Sequence, residues 1–245
     1  MVSHTTNKVV WGAEGRDAKT LDGFFDELGA ARSGQIRTVS MDMGPAFRKS
    51  VTAAGHAPQA TICIDPFHAV KNVTDALNVV RRDIWQQLRR LPEPDIAKKF
   101  NGAKWALLKN PEDLTSQQAA ALTQIRRHGG ALWRAYQLKE AFRAILAGDL
   151  TADEAGELLD RWCSSAQRSR LEPFVKAART MRKHRDGILA AIRLGLTNAR
   201  LEGLNQRVRL IMRSAFGFHS AQAALALVML SAGPINLRLP WEPKA

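Results

Sequence analysis

The spacing of apolar positions divides the chain into a mixed amino-terminal segment and a longer helical one. Leu21, Phe24, Phe25 and Leu28 recur at three- and four-residue intervals, the period of one helix face, between a capping Asp17 and a terminating Gly29. Two short β-branched runs follow, residues 36–41 and Thr61–Ile64, with a short helix over 45–54 between them. Strand, helix and strand in alternation predict an α/β sheet. Ahead of them, Val9-Val10-Trp11-Gly12-Ala13 after Thr5-Thr6-Asn7-Lys8 predicts the second arm of a hairpin, with its first arm mostly before Met1. A long helix is expected over 67–90, broken by Pro92-Glu93-Pro94.

Residues 95–194 show helical periodicity only, with breaks at Asn110-Pro111, Gly129-Gly130, Gly148-Asp149 and Leu171-Glu172-Pro173. Trp105, Leu108, Leu122, Trp133, Phe142, Leu158, Trp162 and Phe174 are the expected core of this stretch. Next comes Asn198-Ala199-Arg200-Leu201-Glu202-Gly203-Leu204-Asn205. On a helix, Asn198, Glu202, Asn205 and Arg209 share one stripe, and Leu201, Leu204, Val208 and Ile211 form a separate apolar one. A final apolar helix is expected over 221–230, and a loose tail from Pro234.

Composition narrows the function classes. At 245 residues and 45% hydrophobic, the chain can bury a sizeable core. A net charge of +13 calls for a polyanionic partner, because each neutralised phosphate releases counterions. From Arg161 to Arg213 there are thirteen Lys or Arg against three acids, Glu172, Asp186 and Glu202. A solvated helical face is the plain alternative for any such stretch. Cys63 and Cys163 are expected to be buried thiols of a reducing compartment. There is neither a long apolar run nor a signal-peptide pattern at Met1, so no membrane partner and a cytoplasmic, nucleoid-associated location are expected.

Three acids stand where chemistry is plausible. Asp42 follows the first β-branched run, and Asp65 follows the second and opens Asp65-Pro66-Phe67-His68. Carboxyl ends of strands face the crevice in which open α/β sheets bind ligands. Each has a structural alternative. Asp42 reads equally as a turn aspartate before Gly44-Pro45, and Asp65 as a helix N-cap with proline at the first helical position. His68 at a helix start is often structural, and Glu202 could pair with Arg200, Gln206 or Arg209.

Taken in order, strand-Asp42, strand-Asp65-Pro-Phe-His68 and helical Asn-x-x-x-Glu202-Gly-x-Asn205 resemble the transposases of bacterial insertion sequences, in the group called the ISL-three family. Gly15-Arg16-Asp17, Arg161-Trp162, the stretch 169–184 and Arg213-Ser-Ala-Phe-Gly217-Phe218 add to that resemblance, which covers residues 9–230. It implies an RNase H-like α/β nuclease core with a D-D-E carboxylate set, interrupted by a large all-α insertion, mostly helical overall. Residues 1–78 would be an incomplete core lacking its first strands, 79–194 the insertion, 195–232 the helices completing the catalytic core, and 233–245 a tail. It also implies catalytic Asp42, Glu202 and Asp65, with Asp42 and Glu202 as metal ligands for two Mg²⁺ (or Mn²⁺) ions. Which of Asp42 and Asp65 is the second catalytic aspartate stays open. His68, Lys71, Asn198, Asn205, Arg207, Arg209 and Arg213 would bind DNA or support the carboxylates.

The partner implied is double-stranded DNA, at element ends and at the target, with homo-oligomerisation or assembly with full-length transposase. The family's first aspartate would precede Val9, where no acid is present. The expectation is therefore a truncated transposase, inactive alone. The alternative is a non-catalytic DNA-binding or inhibitory transposase-derived protein.

Overall fold

The structure is a computed structural model that describes residues 1–90, 103–147, 150–196, 199–214 and 217–235, with backbone only at 199–202 and 205. It is mostly helical, with one two-stranded sheet among the described residues. The chain forms two compact units. One comprises Met1–Val39, Gly44–Ile62 and Thr197–Ala245, the other Ser40–Met43 and Cys63–Leu196.

In the first unit, Asp17 caps helix α1 (Ala18–Leu28) by accepting the Thr20 N–H at 2.8 Å, and Gly29 ends it at φ 77°, a backbone conformation that favours glycine. A short helix α2 (Ala30–Ser33) follows, then strand β1 (Thr38–Met41) and helix α3 (Pro45–Val51). Helix α1 packs on α3, burying Leu21, Phe25 and Val51. The His56 ring stacks on Phe25 at 4.4 Å, and its Nδ1 lies 2.7 Å from the Ser50 carbonyl. Val2 pairs with Val9 in an antiparallel bridge, and Ser3 and Asn7 close the turn between them. Among the described residues this single bridge, and no strand, stands where the second arm of a hairpin was expected.

Strand β2 (Thr61–Ile64) pairs with β1. The Thr61 N–H donates to the Arg37 carbonyl and the Asp65 N–H to that of Met41, the same step along both strands, so the pair is parallel. Two helices complete the first unit, α11 (Ala199–Ser214) and α12 (Ala221–Ala232). Val9, Val228 and Ala232 form its small core there, with Val2, Leu204, Val208 and Met229 packed against them.

The second unit is built on helix α4 (Pro66–Leu88), whose Val73, Leu77 and Val80 are buried. Helix α5 (Lys104–Leu108), a 3₁₀ turn at Pro111–Asp113, α6 (Ser116–His128), α7 (Gly130–Ile145), α8 (Ala152–Arg168), α9 (Glu172–Lys183) and α10 (Arg185–Arg193) follow. Helix α4 packs against α7 and α9, and α8 packs against α7, α9 and α10. Three of the four expected breaks fall at observed helix ends. Gly148-Asp149 lies outside the described residues. Thr115 and Thr151 begin α6 and α8 with reciprocal capping boxes.

Phe142, Trp162 and Phe174 are core, as expected, with the first two rings 4.7 Å apart and Trp162 Nε1–H donating to the Leu138 carbonyl. Leu107 and Leu159 are fully buried in place of the expected Leu108 and Leu158. Leu122 and Trp133 are half-buried. Trp105 is 53% exposed, with Lys104 Nζ 4.7 Å over its ring. A Leu-Leu pair satisfies the helical period in either register, so only the neighbouring helix selects the inner one. Cys63 and Cys163 are buried free thiols, and burial pushes both upward, Cys163 to about 11.

Lys139 is buried in this unit, with its Nζ donating to the Leu107 and Lys109 carbonyls at 3.1 Å each. These are carbonyls that the end of α5 leaves without helical partners. Glu140 pairs with Lys139 through Oε1, an atom held by charge and not by a well-directed hydrogen bond. Lys139 Nζ also lies 5.1 Å over the Tyr136 ring. Burial first, and then the Glu140 charge, push the Tyr136 phenol up to about 12 from an ordinary 10.0. Folding therefore favours the neutral phenol. That contribution is complete below pH 10.0 and is lost as the pH rises to about 12. Tyr136 is the only tyrosine in the chain, so tyrosinate absorbance reports it alone. The expected midpoint is near 12, and a midpoint near 10.0 would mean that the ring is solvated.

Among the described residues, no helix is long and apolar enough to cross a membrane.

Candidate functional site

The parallel pairing fixes where the two aspartates stand. In a parallel ladder, a residue whose N–H bonds to the carbonyl of position j−1 lies opposite position j. The Asp65 N–H donates to the Met41 carbonyl at 3.0 Å, so Asp65 lies opposite Asp42. Both follow directly on the carboxyl ends of their strands, β1 ending at Met41 and β2 at Ile64. Two aspartates 23 residues apart in the chain thus take opposite positions at the carboxyl end of one parallel strand pair.

Their surroundings differ. Asp65 is 3% exposed and caps α4, its Oδ1 accepting the Phe67 N–H at 3.1 Å, with Pro66 at the first helical position. The capping geometry weighed from the sequence is present. It engages one carboxylate oxygen, while Oδ2 faces His68 Nε2 at 3.7 Å, an ion pair when the imidazole is protonated. His68 sits edge-on to Phe67, which is 51% exposed. An exposed aromatic at this helix start is a site neighbour that sequence reasoning passed over, because Phe67 reads as an ordinary apolar helix position. Asp42 is half-buried and is separated from α3 by the Gly44 cap. Lys71 lies further along α4 in an exposed pair with Asp75 at 2.6 Å.

Helix α11 carries Glu202, Asn205, Arg207, Arg209 and Arg213. Leu204 and Val208 of its apolar stripe pack on the Val9 cluster. At about 100° per residue, position 202 is about 160° round the helix from position 204, away from that packed face. Arg207, Arg209 and Arg213 are exposed. Asn198 and the side chains of Glu202 and Asn205 lie outside the described residues. A Cβ at Gly203 would meet nothing within 4 Å, so packing does not demand glycine there.

The donor chemistry of Asp42 and Asp65 suits a hard divalent cation such as Mg²⁺ or Mn²⁺, which takes carboxylate oxygen. Among the described residues, no three His, Cys, Asp or Glu side chains converge as a metal site.

Comparison with known proteins bears on what this edge is for. The family described as "Transposase", the ISL-three group of the DDE type, matches residues 1–227. The transposase for insertion sequence element IS1557 of Mycobacterium tuberculosis is 40% identical over 98% of this chain. The transposase for insertion sequence element IS1001 of Bordetella parapertussis is 29% identical over 94% of it. The chain spans 57% and 56% of the lengths of these relatives. No solved structure matches. With a match running from the first residue across both strands and helix α11, the chain belongs to the ISL-three family of transposases.

Proposed function

We propose that this chain supplies part of the catalytic core of a DDE-type insertion-sequence transposase, which cuts element ends and joins them to target DNA. The observation that carries this reading is the placement of Asp42 opposite Asp65 at the carboxyl ends of adjacent parallel strands. The strands and helix α11 belong to an RNase H-like core, with residues 79–194 as its helical insertion. Asp42 and Glu202 hold divalent cations, and Asp65, braced by the Phe67 N–H and His68, completes or orients the carboxylate set. Two Mg²⁺ or Mn²⁺ ions, when bound, would supply an activated water and charge stabilisation at the scissile phosphate. Asn198 and Asn205 orient Glu202, while Arg207, Arg209, Arg213 and Lys71 meet DNA phosphates. The partner is bacterial duplex DNA, at element ends and target, with further transposase copies in the assembly.

The test is cleavage of duplex element ends by a transposase of the relatives' full length that contains these residues. Cleavage is expected in Mg²⁺ or Mn²⁺ and is lost on chelation with EDTA, with activity restored by added Mg²⁺. Undiminished cleavage in EDTA would remove the carboxylate–metal reading. Salt-dependent duplex binding without cleavage in either metal would favour a non-catalytic, DNA-binding role.

A further inference from the structure

We propose that Arg170 and the outer face of α9, carried by Lys176, Arg179 and Lys183, form a second phosphate-binding surface that tracks duplex DNA. This rests on the reading of the chain as a DNA-handling transposase. Helix α9 buries Phe174, Ala177, Ala178 and Met181 on one side. Glu172, Lys176, Arg179 and Lys183 recur at four-, three- and four-residue steps on the other, and all four are exposed. The three cations span about 10 Å along the axis, a length that covers several phosphates of a duplex strand.

Some cations of this unit are neutralised by carboxylates, and those of this face lie in a row with little such pairing. Arg143 is neutralised by Glu112 and Glu140, Arg161 by Glu157, Arg185 by Asp160 and Lys71 by Asp75. Among the described residues, no carboxylate pairs with Arg170, Arg179 or Lys183, and Lys176 has only Glu172 at 3.8 Å. Charges left unneutralised in a row are available to a polyanion.

The second observation is independent of charge. Arg170, in the turn between α8 and α9, sits at φ 60°, one of two non-glycine residues with positive φ among those described. Glycine or asparagine is the ordinary occupant just after a helix C-cap, and another side chain there costs on the order of 1 kcal/mol. Among the described residues, no hydrogen bond or ion pair repays Arg170 for that conformation. A strained position without a structural return is where a functional constraint is expected.

The two observations yield a test in which structure and function move in opposite directions. The full 245-residue chain is titrated with a mixed-sequence DNA duplex across a salt series. Arg170→Gly is expected to leave thermal stability unchanged or raised while weakening duplex binding several-fold. The Arg179→Gln/Lys183→Gln pair is expected to weaken binding about tenfold or more and to flatten the log–log salt dependence by about 1.8, at about 0.9 per lost phosphate contact. Wild-type affinity and salt slope in both variants would overturn the proposal while leaving the DNA reading intact. Failure of the wild-type chain to bind duplex would defeat this surface, and undiminished cleavage in EDTA would separately defeat the catalytic reading. Binding of duplex RNA in preference to DNA, with the same loss in the variants, would overturn the assignment of the partner.

Discussion

Asparagine at position 42, or glutamine at position 202, is expected to lower strand cleavage about a thousandfold or more in a transposase of the relatives' length, with duplex affinity unchanged. A divalent ion held by carboxylates contributes several kcal/mol of charge stabilisation at a phosphoryl centre, and each 1.36 kcal/mol is tenfold in rate. An amide keeps the shape of the carboxylate and loses the anionic oxygen. Asp42 is half-buried and follows the end of β1. Asp65→Asn resolves which aspartate matters. Asparagine caps a helix about as well as aspartate. The Phe67 N–H therefore keeps its acceptor, and stability should change little. A large loss of cleavage in Asp65→Asn would make Asp65 part of the metal set, whereas wild-type cleavage would restrict it to capping α4. Wild-type cleavage in both Asp42→Asn and Glu202→Gln would remove the D-D-E reading altogether.

Methionine at position 139 is expected to destabilise the second unit by about 3 kcal/mol, the lower end of what removing one partner of a buried ion pair costs. Two carbonyls, of Leu107 and Lys109, lose their donors, and the Glu140 carboxylate loses its buried counter-charge. Glu140 keeps Arg143 Nε at 3.0 Å and is partly exposed, which limits the loss. Urea unfolding should show a lower midpoint at unchanged slope. A change under about 1 kcal/mol would mean that water reaches the carbonyls once the ammonium is gone.

The strand end and helix cap at Asp65 were legible in the sequence because they are local. Asp65-Pro66 at the end of a β-branched run encodes a strand end and a helix cap within six residues, and the structure shows both. The apolar stripe of α11 was legible for the same reason, and Leu204 and Val208 of it pack on the Val9 cluster. The second phosphate-binding surface was legible only as net charge. Which cations are neutralised depends on side chains brought from other helices, such as Asp160 to Arg185 and Glu112 to Arg143.

By itself, then, the sequence determined the helix stops and caps at Asp17, Gly29, Asn110-Pro111 and Gly129, the two strands, and the family. These follow from backbone preferences and short-range hydrogen bonds that each residue carries with it. Only the tertiary structure decided that Asp65 stands opposite Asp42, that Leu107 and Leu159 turn inward in place of their neighbours, and that Lys139 is buried. It also held Arg170 in a left-handed turn. Each of these is set by a partner distant in the chain: a strand 23 residues away for Asp65, or α5 some 30 residues away for Lys139. Local periodicity is satisfied equally by the alternatives, so the choice belongs to packing.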